Sequence, residues 1–145
     1  MPPTYSYALT VDAPATRVWQ VLTDVGKWPD LTASMTSVRG LDGPRPAVGA
    51  RFEIRQPRLR KAVWTVTRLD EGVAFDWESR APGVVSTGSH LLEADGERTR
   101  LTLTMEQSGV LAWPIGLLAG STIRRYLTLE AQGIKAHSEQ PPDRP

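Results

Sequence analysis

Residues 11–31 read VDAPATRVWQVLTDVGKWPDL, and this run predicts two short helices directly after a strand. Asp12 is suited to cap the first helix, and Pro14 is suited to its first turn. Apolar side chains then recur at helical spacing, namely Val18, Trp19, Val21 and Leu22. We expect this helix to stop near Gly26 and a short second helix to begin at Trp28-Pro29.

The residues on both sides of this run predict a sheet of seven strands. Apolar and polar side chains alternate from Thr4 to Asp12, as in a strand with one covered face. After Ser34 the alternation recurs in short runs separated by turn sequences such as Pro82-Gly83. We place six strands near residues 35–41, 49–56, 61–69, 73–80, 84–94 and 98–107. Because the connections are short, sequential strands must pair antiparallel.

Residues 110–138 predict a long helix after the last strand. Apolar side chains recur there at roughly helical spacing, and a helix of this length extends about 35 Å, enough to cross the sheet. Gly116, Gly120 and Gly133 weaken the helix, so we expect them to mark close packing. We assign residues 1–138 to a single domain. Residues 139–145 are rich in proline, and we expect them to form a disordered tail.

The composition is that of one folded domain. The chain has 145 residues, of which 40% are hydrophobic and 23% charged. Its net charge of +1 gives no overall field to attract nucleic acid or an anionic membrane, and no run reaches the ~18 apolar residues of a membrane span. Cysteine is absent, which excludes disulfides and thiolate chemistry. The N-terminus lacks a targeting pattern, so we expect a cytoplasmic protein.

Four segments carry a resemblance to a known superfamily. They are VDAPATRVWQVLTDVGKWPDL at 11–31, GVAFDW at 72–77, GSHLLEADGERTRLTLT at 88–104 and RRYLTLEAQGIKAHSE at 124–139. Together they resemble the START-like (SRPBCC) superfamily of polyketide cyclase/dehydrase and lipid-transport proteins over roughly residues 4–138. The resemblance implies an α+β helix-grip fold. In this fold a curved seven-stranded antiparallel sheet wraps around the C-terminal helix and encloses an elongated cavity for an apolar ligand.

Strand parity predicts which side chains face that cavity. It turns Val66, Leu101 and the polar Gln56, Ser79 and Ser86 inward, and it turns Arg51, Glu53, Asp76, Glu78, Thr102 and Thr104 outward. An unpaired buried polar group costs ~1–3 kcal/mol, so each inward polar side chain needs a neighbour, water or ligand. We predict that a ligand is bound by Phe52, Ile54, Trp64, Phe75, Trp77, His90, Leu103, Met105, Gln107, Ile123 and Tyr126.

Three side chains are candidates for proton transfer or for orienting a ligand. His90 titrates near neutral pH and suits acid–base catalysis, but it suits equally a structural bond to a backbone carbonyl or to Gln107. Tyr126 and Glu130 share one helix face. If that face turns to the cavity, burial would raise the pKa of Glu130. The alternative, which we favour, is a solvated Glu130 paired with Arg124 or Arg125.

Aromatic and basic residues are concentrated in two further places. Trp64 and Trp77 lie on adjacent strands and the same face, where they would either stack on a planar ligand or fill the core. We place Trp28 and Trp113 at the mouth of the cavity. Five cations, Arg51, Arg55, Arg58, Arg60 and Lys61, fall within eleven residues. This cluster predicts a solvated hairpin, with an anionic ligand head group or a protein partner as alternatives.

These features support three hypotheses for the function. The first is a binding protein for a small hydrophobic or aromatic molecule, oriented by His90, Tyr126 and Gln107. The second is a cyclase/dehydrase-type enzyme that uses His90, with Glu130 as a further proton carrier. The third is a protein-interaction domain, which would have its pocket packed shut. No phosphate-binding loop, metal-ligand spacing or nucleophile motif occurs, so we expect no cofactor or metal, and no nucleic acid partner.

Overall fold

The computed structural model describes residues 3–141 and contains the predicted elements in the predicted order. The strands are β1 Thr4–Val11, β2 Ser37–Gly40, β3 Arg51–Arg55, β4 Ala62–Asp70, β5 Ala74–Ala81, β6 Val84–Asp95 and β7 Arg98–Ser108. The helices are α1 Ala15–Thr23, α2 Trp28–Leu31 and α3 Ala112–Ser138, with a 3-10 turn at Val25–Lys27. Every predicted strand is thus confirmed to within two residues of its expected bounds. Residues 142–145 of the expected disordered tail lie outside the described residues.

All seven strands form one curved antiparallel sheet in the order β1-β7-β6-β5-β4-β3-β2. Strands β2 to β7 form a meander, and the last strand, β7, also pairs with β1 at the edge of the sheet. The register places Trp77 of β5 opposite Gly88 of β6, and His90 of β6 opposite Leu103 of β7. Since facing residues of paired strands lie on the same side of a sheet, these four residues share its concave face.

Helix α3 lies against the concave face, and its glycines mark its closest contacts. A Cβ atom at Gly116 would lie 2.8 Å from the hydroxyl of Tyr5 on β1. One at Gly133 would overlap the backbone carbonyl of Leu31 at the end of α2. The prediction that these glycines serve close packing is therefore confirmed.

The alternation along each strand correctly predicted which side chains face the core. The apolar side chains predicted to be inward are buried, apart from the partly buried Met105. The side chains predicted to be outward, such as Arg51 and Thr102, are exposed or half-buried. One face of each strand therefore packs into a common core with α1, α2 and α3.

The start of α1 differs from the prediction. Pro14 takes the N-cap position, and no side chain caps the helix. Asp12 lies two residues before that cap, too early for its carboxylate to receive the first free N–H groups. Its backbone N–H instead donates to the Glu139 carboxylate at 2.7 Å, which ties the end of β1 to the end of α3. Helix α1 also ends three residues before Gly26, and the 3-10 turn fills the interval.

Two further observations concern only residues 3–141. No helix there combines the length and the hydropathy that a bilayer span requires. No group of His, Asp and Glu side chains there is arranged to hold a metal ion.

Candidate functional site

A small inner cavity lies between the middle of the sheet and the middle of α3. Its volume is about 50 Å³, enough for a few water molecules or one small chemical group. The sheet contributes Ile54, Trp64, Trp77, Gly88, Ser89, His90, Leu103, Thr104 and Met105, and α3 contributes Ile123, Tyr126, Leu127 and Glu130. Met35, Gln56 and Leu59 come from the connections beside β2 and β3. The cavity is therefore apolar, with a few polar groups at defined points.

A larger outer cavity continues from it toward the first turns of α3. Its volume is about 470 Å³, and it lies between the β3–β4 and β5–β6 hairpins and the helix residues Ile115 and Ala119. Both cavities are lined by Gln56, Leu59, Trp64, Met105 and Ile123. The two cavities thus adjoin beneath α3 and share part of their walls, and together we call them the cleft, narrow at its inner end and wide at its outer end.

His90 lies at the inner end and is held neutral. Its Nδ1 donates to the backbone carbonyl of Phe75 at 3.0 Å, since a carbonyl oxygen can only accept. The ring stacks on Phe75 at 4.0 Å between centroids and meets Trp77 edge-on at 5.3 Å. Burial lowers the pKa of His90 to about 4, against the smaller opposing effect of the Phe75 carbonyl. The backbone-carbonyl alternative is confirmed, and Nε2 remains as an acceptor with no protein partner within residues 3–141.

Glu130 also lines the inner cavity, which contradicts the solvated arrangement that we favoured. It is 8% exposed and forms no ion pair with any residue in 3–141. Arg124 instead lies over the Tyr5 ring at 5.1 Å from its centroid. Burial without a compensating charge raises the pKa of Glu130 to about 8, so at neutral pH it is a neutral hydrogen-bond donor.

Tyr126 and Gln107 each form a hydrogen bond within the wall of the cleft. The Tyr126 hydroxyl donates to the backbone carbonyl of Pro57, which fastens the β3–β4 connection to α3. Gln107 lines the outer cavity, and its Nε2 donates to Ser86 Oγ at 3.2 Å. Its Oε1 is buried without a hydrogen-bond partner in the described part of the chain. This oxygen is therefore an unsatisfied acceptor buried in the wall of the outer cavity.

Two indole rings form the sheet side of the cleft. Trp64 and Trp77 lie 5.8 Å apart between ring centroids at an interplanar angle of 39°. Gly88 makes room for Trp77, because a Cβ atom there would lie 2.8 Å from the indole nitrogen. Both rings line the inner cavity, so they fill the core and also face the space left for a ligand.

Three predicted positions need correction. Phe52 and Phe75 are on the predicted face but line neither cavity, because they lie deeper, packed against Trp77 and His90. Parity determines the side of a strand on which a residue lies, not its distance from the cleft. Trp28 is 1% exposed and packs edge-on against Trp77 at 5.5 Å, so it is a core residue rather than part of the mouth. Trp113 is 61% exposed near the start of α3.

The sequence reasoning missed several lining residues, among them Met35 and Leu59 on connections and Ile115, Ala119 and Leu127 on the helix. Met35 and Leu59 lie in connections, where no periodicity shows the direction of a side chain. Leu127 and Ile115 lie on α3 at helical spacing from Ile123 and could have been found by extending that stripe.

The basic cluster divides into two parts. Arg51 pairs with Asp42 through two side-chain hydrogen bonds of 2.9 and 3.0 Å, and Arg55 is exposed. Arg60 and Lys61 line the outer cavity, and Arg58 is exposed beside them. Its first half is thus the solvated hairpin that we expected, whereas its second half lies at the opening of the cleft.

Comparisons with known proteins agree with this geometry. The profile of a family described as polyketide cyclase / dehydrase and lipid transport matches residues 3–139. No curated protein matches the chain by sequence.

Solved structures show the same fold at low sequence identity. Zhui aromatase/cyclase from Streptomyces sp. R1128 is 22% identical with a TM-score of 0.77, over 96% of this chain and 94% of its own. A hypothetical protein from Helicobacter pylori is 18% identical with a TM-score of 0.80, over 96% of this chain and 89% of its own. Norcoclaurine synthase from Thalictrum flavum, in complex with dopamine and hydroxybenzaldehyde, is 14% identical with a TM-score of 0.73, over 94% of this chain and 86% of its own.

Proposed function

Because this chain belongs to the polyketide cyclase / dehydrase and lipid transport family, we propose that it binds a small, largely apolar or aromatic molecule in the cleft between the sheet and α3. The observation that carries the proposal is the pair of adjoining cavities that make up this cleft. Its outer cavity of about 470 Å³ is within the ~300–1,000 Å³ usual for small-molecule sites. An open cleft also argues against a protein-interaction domain with its pocket packed shut.

The polar groups of the cleft define the shape of the preferred ligand. At the inner end, protonated Glu130 donates and His90 Nε2 accepts, and only a small group such as a hydroxyl or carbonyl fits there. Further out, Gln107 Oε1 is an unpaired acceptor in the wall, which a second hydroxyl or amine would satisfy after the amide turns toward the outer cavity. An apolar or aromatic body with a neutral oxygen at one end satisfies these groups. A ligand with a carboxylate at the inner end would meet no cation there.

A titration tests this proposal with a probe of the right chemistry. N-phenyl-1-naphthylamine is neutral, mostly aromatic and fluorescent in apolar surroundings. The wild-type chain should bind one molecule, and fatty acids, flavonoids or polyketides that occupy the cleft should displace it. Native mass spectrometry gives the stoichiometry.

Ala119→Trp is the informative variant, because residue 119 lines the outer cavity. Filling this space should weaken probe binding on the order of tenfold or more, the equivalent of ~1.4 kcal/mol of lost apolar contact. Ala136→Trp places the same ring on an exposed position of the same helix and should bind as wild type does. If Ala119→Trp binds the probe as tightly as Ala136→Trp and the wild type do, the cleft is not the site.

A cyclase/dehydrase-type enzyme is the second candidate, and the location of Glu130 favours it. The sequence offered Glu130 only as a further proton carrier beside His90, and the presence of both side chains in the lining of the inner cavity supports an acid–base pair there. Glu130 would protonate a carbonyl oxygen while His90 Nε2 accepts a proton from the adjacent carbon, which gives the enol. His90→Gln and Glu130→Gln should then abolish turnover and retain binding. Loss of binding alone would leave both residues as orienting contacts of a carrier.

A further inference from the structure

The outer end of the molecule carries a group of exposed apolar side chains around the first turns of α3. We call this group the apolar tip; its members are Val110, Leu111, Trp113, Leu117 and Leu118. Leu117 and Leu118 are 87% and 89% exposed, and Trp113 is 61% exposed. Residues 109–120 contain no charged side chain. Exposed large apolar groups concentrated in this way mark an interaction surface rather than ordinary surface scatter.

Six cations lie on the segments next to the apolar tip. We call them the basic collar; its members are Arg58, Arg60, Lys61, Arg80, Arg124 and Arg125, all of them exposed. The segments that supply it, 56–61, 79–87 and 108–125, contain no Asp or Glu. Glu53 and Glu78 pair with Lys61 and Arg80 from the outer face of the sheet. The other four cations form no ion pair with any residue in 3–141.

The apolar tip and the cations of α3 lie at different heights along the helix axis. Leu117 and Arg124 lie seven residues apart, as do Leu118 and Arg125, which is about 10 Å along a helix at 1.5 Å per residue. Each pair lies on one face of the helix, because seven residues are close to two full turns. The apolar side chains therefore project beyond the cations. The net charge of +1 conceals this segregation, since the compensating acidic residues lie elsewhere.

Part of the collar also borders the outer cavity of the cleft. The Leu111 N–H donates to the Gly83 carbonyl at 2.9 Å, which fixes the start of α3 against the β5–β6 turn. Arg60, Lys61 and Arg80 line the outer cavity together with Ile115 and Ala119 of the helix. A surface that covers the apolar tip would therefore lie close to the outer cavity.

We propose that this end of the protein docks on the surface of an anionic lipid bilayer, with the apolar tip among the acyl chains and the basic collar at the phosphates. Apolar groups that project beyond a group of cations match the two layers of such a surface. No spanning helix is required. The proposal goes beyond the proposed function, because docking depends on exposed residues outside the cleft and does not require an occupied site.

Co-sedimentation with vesicles tests the proposal. Vesicles of phosphatidylcholine with about one third phosphatidylserine should bind the wild-type chain, and pure phosphatidylcholine should bind it much less. Raising NaCl from about 0.05 to 0.5 M should release it, because salt screens the collar. Leu117→Ser/Leu118→Ser should weaken binding about 100-fold, at roughly tenfold for each buried leucine. Val48→Ser removes an exposed apolar side chain elsewhere on the chain and should change nothing.

Trp113 provides a second readout that needs no destabilising change. The other four tryptophans are buried, so a blue shift of emission on vesicle binding should come from Trp113 and disappear in Trp113→Phe. Absence of binding to the anionic vesicles would overturn the proposal. So would a wild-type dimer that becomes monomeric in Leu117→Ser/Leu118→Ser, because a second copy would then cover the tip. These two results concern the apolar tip alone, so they can be separated from the outcome of the Ala119→Trp titration, which concerns the cleft.

Discussion

Replacing Glu130 by glutamine should change how the stability of this protein depends on pH. Glu130 is buried beside the inner cavity without a cation, and its pKa rises from 4.5 to about 8. Between these values the folded state retains a proton that the unfolded state releases. The stability that Glu130 contributes is therefore fully present below pH 4.5 and is lost as the pH rises toward 8. Glutamine has nearly the same shape as the protonated side chain and does not titrate.

The size of the change in the free energy of unfolding follows from the pH range in which Glu130 titrates and His90 does not oppose it. The pKa of His90 falls from 6.5 to about 4, so its unfolded form binds a proton that the folded form excludes. Its contribution to stability therefore grows as the pH rises from 4 to 6.5 and opposes that of Glu130. Above pH 6.5 only the Glu130 effect remains. At about 1.4 kcal/mol per pH unit, the wild-type chain should lose about 2 kcal/mol between pH 6.5 and 8.

Urea unfolding at several pH values measures this difference. We expect the free energy of unfolding of the wild-type chain to vary little between pH 4.5 and 6.5 and then to fall. Glu130→Gln should show no fall between pH 6.5 and 8. Below pH 6.5 it should reveal the His90 effect, a rise in stability with pH. The same decline above pH 6.5 in both proteins would refute a buried, unpaired Glu130.

Three further predictions concern the walls of the cleft. Gly88→Ala places a methyl group against the Trp77 indole and should cost about 1–3 kcal/mol in urea unfolding, whereas an unchanged midpoint would mean that the ring moves freely. Tyr126→Phe removes the donor to the Pro57 carbonyl and should cost about 1 kcal/mol, with faster hydrogen exchange in the β3–β4 connection; unaltered exchange would contradict that tether. Affinity for a carbonyl-bearing ligand should fall above pH 8 as Glu130 ionises, and a flat profile in calorimetric titration would remove Glu130 from the site.

Strand alternation and helix spacing were sufficient to predict the strands and helices and their order. Period-two patterns located every strand to within two residues, and an inward residue stays inward as long as the register holds. For this reason Gln107 and Ser86, predicted from parity alone, lie together at the outer cavity. The sequence resemblance supplied the way in which the sheet curves around α3, and the strand pattern did not.

The depth of a residue and the positions of loop residues were not predictable in the same way. Phe75 and Trp77 lie on one face of one strand, yet only Trp77 borders the inner cavity. Glu130 was misjudged because arginines precede it on the helix, and a solvated ion pair is the usual outcome for such a sequence. Only the packing of α3 on the sheet shows that these arginines turn away and that the carboxyl group turns inward.

The most direct test of the central claim is the structure of the chain with a bound neutral aromatic ligand, by crystallography or by intermolecular NMR contacts. We predict the ring between Trp64, Met105 and Ile123, with its oxygen directed to Glu130 at the inner end of the cleft. A ligand located only on the outer surface, for example in the polar cavity beside Arg17 and His137, would contradict the claim.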